Sequence, residues 1–185
     1  MEADEDESIA RLNAYLLADD ELAAVVRTHT YIEHELISFI EARVALAHAL
    51  KPLNLDYAGR VSLAIALGLP KELKPALTAL GTLRNAFAHR LDASLTAERV
   101  DQIYAAFSPK MKETAQKAYK QTSLKVRGEK NPNALSTLPP RERFMIYMSS
   151  LYAILFFCNS RIVRIANEKL SVLDFRTVKA AASKG

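Results

Sequence analysis

Tryptophan is absent, glycine occurs five times in 185 residues, and cysteine occurs once, at Cys158. A single thiol can close no internal disulfide, so the chain suits a reducing compartment. Scarce glycine beside abundant alanine and leucine favours helices. No alternating apolar run bounded by turn residues is found, and no internal repeat. The longest apolar run, Phe144 to Cys158, is interrupted by Ser149 and Ser150 and is short for a bilayer span. The start, Met1 to Ser8, is acidic and so lacks the pattern of a secretory leader. There is no glycine-rich phosphate loop. His29, His34, His48 and His89 have no zinc-ligand spacing, and the His29–Glu33–His34 cluster lacks a full ligand set. The expectations are a cytoplasmic protein with no membrane segment, no cofactor and no metal site.

Half of the residues are hydrophobic, enough for a real core, and the length suits one domain over residues 1–185. Charge is unevenly spread. Residues 1–24 carry eight acids and one base, net −7, so the rest of the chain holds +11 of the overall +4. A body that basic favours a polyanionic partner. Residues 1–8 are expected to form an acidic tail outside the fold. Lys110 to Lys130 contains seven cations and two acids, and residues 122–137 read as a basic and polar loop.

The periodicity predicts a short helix over Ser8–Leu17. A long one follows from Glu21, capped by Asp19 or Asp20, to about Leu50. A partly helical piece covers Leu53–Leu69. A central helix covers Pro70–Leu91, one begins at Thr96, and one runs from Ser108-Pro109 to about Gln121. A final helix after Leu138-Pro139-Pro140 is apolar on nearly all sides, through Phe144, Met148, Leu151 and Leu155, so it is expected to be the buried spine of an all-α helical bundle.

The central helix carries the chemistry. Its apolar stripe runs Leu73, Leu77, Leu80, then Arg84, then Phe87 and Leu91, in steps of three and four. A guanidinium in a leucine position is costly unless it is paired or lines a cleft. Asn85 and His89 are four apart and neighbours on the adjoining face. His89 can exchange a proton near neutral pH. Arg84 can grip a phosphate with a forked, charge-assisted contact.

Arg84-Asn85-Ala86-Phe87-Ala88-His89 resembles the Arg-Asn-x-x-x-His signature of the HEPN superfamily of small α-helical bundles. A longer resemblance, over Thr28–Phe107, is to the mannitol operon repressor-like family, a HEPN-related group of regulators. It is carried by Glu35-Leu36-Ile37, Gly59-Arg60-Val61-Ser62-Leu63, Leu67-Gly68-Leu69 and Leu80 to His89. The first resemblance implies a homodimeric, metal-independent endoribonuclease of toxin–antitoxin or RNA-processing type, with Arg84, Asn85 and His89 catalytic and a 2′,3′-cyclic phosphate product. Arg90, Lys110, Lys112, Lys117 and Lys120 would then track the RNA. The second resemblance implies a non-catalytic transcriptional regulator that binds a protein or nucleotide partner. An antitoxin or regulatory protein is the partner expected besides RNA and a second copy.

Overall fold

The computed structural model describes residues 20–90, 92–124, 128–130 and 132–160. Every regular element among them is helical. The order is α1 (Glu21–Glu41), a 3-10 turn (Ala47–Leu53), α2 (Tyr57–Ala66), a second 3-10 turn (Lys71–Leu73), α3 (Lys74–His89), α4 (Ala97–Ala105), α5 (Pro109–Thr122), a third 3-10 turn (Leu135–Thr137) and α6 (140–160). The chain is an all-α bundle. The acidic start, the Ser8–Leu17 helix, Leu91, Lys125 and Arg127 lie outside the described residues.

Local chemistry sets the helix starts. Asp20 accepts from the amides of Leu22 and Ala23 at 3.1 and 3.3 Å. Asp56 accepts from Gly59, Thr96 from Arg99 and Ser108 from Met111. Each supplies an oxygen to an amide that has no partner within its helix. Gly68, at φ 99°, follows α2 in the left-handed conformation that glycine tolerates best.

Two features differ from expectation. The first long helix ends at Glu41 rather than near Leu50, and the chain passes into a 3-10 turn that contains Pro52. Past Phe39 and Ile40 the side chains are half-buried or exposed, so no apolar face remains to hold a further α-helical turn against the core. In α6 the apolar residues do not surround the axis evenly. Phe144, Tyr147, Met148, Leu151, Tyr152 and Leu155 are buried, but Phe157 is 64% exposed and Arg143 sits inside.

α3 is the hub. It packs against α1, α2 and α4, and it buries Ala76, Leu77, Leu80, Gly81, Leu83 and Phe87. A carboxylate oxygen of Glu21, at the start of α1, accepts from the Leu95 amide at 2.8 Å, tying that end of α1 to the loop beyond α3. α6 closes the bundle through aromatic contacts. Tyr152 meets Tyr31 of α1 at 5.1 Å between ring centroids, and Tyr147 stacks on Tyr104 of α4 at 5.0 Å.

Candidate functional site

The apolar stripe that runs from the 3-10 turn into α3 is buried at Leu73, Leu77, Leu80 and Phe87, and Arg84 interrupts it half-buried. Arg84 Nη1 donates to the Asn85 side-chain oxygen at 3.1 Å. No carboxylate among the described residues pairs with Arg84. His89 is the last residue of α3 and is exposed, and Arg90 follows it exposed and extended. The four residues therefore cluster at the C-terminal end of one helix, Arg84 and Asn85 directly bonded. Asn85 and His89 stay four residues apart on α3, and the Asn85 oxygen accepts from Arg84.

The lysines are elsewhere. Lys110, Lys117 and Lys120 are exposed on α5, with Lys112 half-buried, and α5 follows α4 rather than packing closely on α3. Lys117 is held by Glu113 at 2.7 Å, one turn away. Lys112 Nζ lies 5.1 Å from the Tyr104 ring centre. Tyr119 is buried.

Where α1, α2 and α3 pack together, the structure assembles residues that the motif does not include. His29 of α1 is 4% exposed. Its ring lies 4.3 Å, centroid to centroid, from Tyr57 of α2. Neither imidazole nitrogen makes a hydrogen bond among the described residues, and Nδ1 stands 4.0 Å from Glu33. Glu33 is instead bonded to Arg60 of α2. Tyr57 donates its hydroxyl to the Leu77 carbonyl of α3 at 3.0 Å. His34, by contrast, is exposed, and no group of three metal-ligating side chains is found among the described residues.

A sequence signal for His29 existed. The apolar stripe of α1 steps from Val25 to Ile32, and helix geometry puts positions 28 and 29 between them on the buried face. Both Thr28 and His29 are buried there. Gly81 was a second signal. A glycine within a helix costs about 1 kcal/mol against alanine, which calls for a packing reason. The reason is Tyr57: a Cβ on Gly81 would lie 2.9 Å from its Cε1 and 3.0 Å from its Cδ1. Because the hydroxyl anchors that ring to α3, Gly81→Ala should destabilise by about 1–3 kcal/mol in urea unfolding, despite the gain in helix propensity. A stabilised variant would show that the ring yields freely.

Burial pushes the His29 imidazole below its ordinary pKa; Glu33 draws it back up, and Arg84 pushes it down again. Burial, then Glu33, holds the Tyr57 phenol well above its usual range. The linkage sign follows. Unfolded His29 takes up its proton near its ordinary 6.5, whereas the folded residue does so at lower pH. Below that value the unfolded chain binds more protons, so folding is weakened at acid pH and strengthens as pH rises toward 6.5. The urea midpoint should rise as the pH is raised toward the ordinary histidine pKa, and His29→Phe should flatten that rise. An unchanged slope in the variant would rule His29 out as its source.

Comparison with family models, with curated proteins and with solved structures finds no match to this chain.

Proposed function

We propose that this chain is a HEPN-like endoribonuclease that cleaves RNA without a metal and acts as a homodimer. The observation that carries the proposal is the half-buried Arg84: it has an amide for a neighbour and no carboxylate partner among the described residues, and exposed His89 and Arg90 follow on the same helix end. A guanidinium kept uncompensated at a surface is set up to bind an anion.

The chemistry needs a base and a stabiliser of phosphorane charge. His89 takes the proton from a 2′-hydroxyl, and the 2′-oxygen attacks phosphorus. The bond from phosphorus to the 5′-oxygen breaks, that oxygen takes a proton from water, and His89 then returns its own proton to the solvent. Arg84 bears the added charge on the non-bridging oxygens, and the Asn85 amide donates to one of them. The products are a 2′,3′-cyclic phosphate and a 5′-hydroxyl. Arg90 and the exposed lysines of α5 supply the salt-sensitive attraction to the strand.

A second reading, a non-catalytic regulator, draws on a groove of about 350 Å³ lined by Ile37, Ile40, Leu50, Leu55, Lys51 and Arg60 among others. Leu46 and Leu53, both more than half exposed, flank it along the first 3-10 turn. One assay separates the two: mixed RNA incubated in EDTA with wild type and with His89→Ala. Cleavage by the wild type, lost in the variant, supports the nuclease. RNA left equally intact by both removes it and favours the regulator.

A further inference from the structure

Around His29, three helices bring together one carboxylate, two guanidiniums and a phenol. Glu33 is one turn beyond His29 on α1, and its field reaches both His29 and Tyr57. Arg60 comes from α2, and Arg84 from α3. The acid is committed to Arg60, through a bond between Nη1 and Glu33 Oε1, with the two side chains 34% and 21% exposed. Its other oxygen stays 4.0 Å from the imidazole, too far for a hydrogen bond. Gly81, one turn before Arg84 on α3, faces the Tyr57 ring that meets His29, which brings Arg84 next to this cluster with no carboxylate partner among the described residues.

We propose that Arg60 is a positioning residue for an anion site at Arg84: by holding Glu33 it keeps this carboxylate from neutralising the second guanidinium. The proposal rests on the reading of Arg84 as an anion ligand, and not on whether RNA is cleaved. The physical case is one of charge. Glu33, Arg60 and Arg84 sum to one positive charge. Removing Arg60 brings the sum to zero, and a partly buried carboxylate then acts on Arg84 through a medium that screens poorly. The Arg60–Glu33 pair also joins α1 to α2, so a purely structural role has to be told apart from an electrostatic one.

Variants of the full chain distinguish them, with a short fluorescein-labelled deoxyoligonucleotide as probe. That strand has no 2′-hydroxyl and cannot be cut by the proposed chemistry. Binding is read at low salt and about pH 8, above the ordinary imidazole range. Arg84→Gln and Arg60→Met should each weaken binding about tenfold, Arg60→Lys should bind within about twofold of wild type, and Glu33→Gln with Arg60→Met should recover to the same level. Glu33→Gln alone should bind as wild type or more tightly. In histidine NMR titrations His29 should hold its proton to higher pH in Arg60→Met and release it earlier in Glu33→Gln.

Unimpaired binding by Arg60→Met overturns the proposal. So does a double variant as weak as Arg60→Met, or a His29 titration that ignores both substitutions. Weakened binding by Glu33→Gln alone would show a clamp between helices and overturn it equally. Unimpaired binding by Arg84→Gln removes the anion site and the role of Arg60 with it. RNA left intact by a protein that shows the expected affinities would defeat the nuclease reading while upholding this one.

Discussion

Alanine in place of His89 is expected to lower metal-free RNA cleavage about 10³-fold, within the range for loss of a positioned general acid or base. The side chain is exposed and ends its helix, and none of the hydrogen bonds or ion pairs described for the bundle uses it. Its loss should therefore shift unfolding by no more than about 0.5 kcal/mol, as is usual for a surface position. That separation makes the result informative: activity disappears while the urea midpoint stays. Arg84 offers the companion test. Arg84→Lys keeps the charge but loses the planar fork, so it should retain binding better than turnover. The products should end in a cyclic phosphate, read by resistance to phosphatase until acid opens the ring. Equal cleavage by wild type and His89→Ala would assign the proton transfer to another group or to a contaminant.

The largest expected effect on stability lies away from the site. Arg143 is buried in α6, its side chain 5% exposed, and it is bonded to Asp101 of α4, whose side chain is 59% exposed. Its Nε has no hydrogen-bond partner among the described residues. Removing Asp101 would leave a buried guanidinium without its counter-charge, a change that typically costs about 3–5 kcal/mol when both partners are enclosed. Water reaches the pair from the Asp101 side, so about 2–3 kcal/mol is expected for Asp101→Ala in urea unfolding. Asp101→Leu with Arg143→Met should recover most of that loss, because no buried charge remains. A double variant as unstable as the single would assign the loss to packing around Tyr104 and Tyr147.

Residues with strong local signals were legible in the sequence. The three- and four-residue steps from Leu73 to Phe87 gave α3 and its buried face, and Ser108-Pro109 and Thr96 gave helix starts where their oxygens do cap amides. Arg84 was legible as the polar member of an apolar stripe, because a single helix fixes that relation. The end of α1 was not, since apolar residues continue past Glu41 and only tertiary packing decides which of them are covered. The surroundings of Arg84 were less legible still. His29, Glu33, Tyr57 and Arg60 come from two other helices, and their pairing depends on a packing arrangement that periodicity along one helix does not encode. The seven-residue step from Val25 to Ile32 marked His29 as facing inward, but what it would face was not written in α1.

The placement of these groups on α3 has a consequence for how a ligand is gripped. His89 closes the helix, so the last backbone carbonyls, beyond which no further helical amide follows, give this end partial negative charge. A phosphate arriving at this end is repelled by the main chain, unlike one seated at a helix start. Whatever holding power the end possesses must come from side chains, and a fluctuation that withdraws one of them exposes the ligand to the unfavourable pole of the helix. Release from such a perch should be quick.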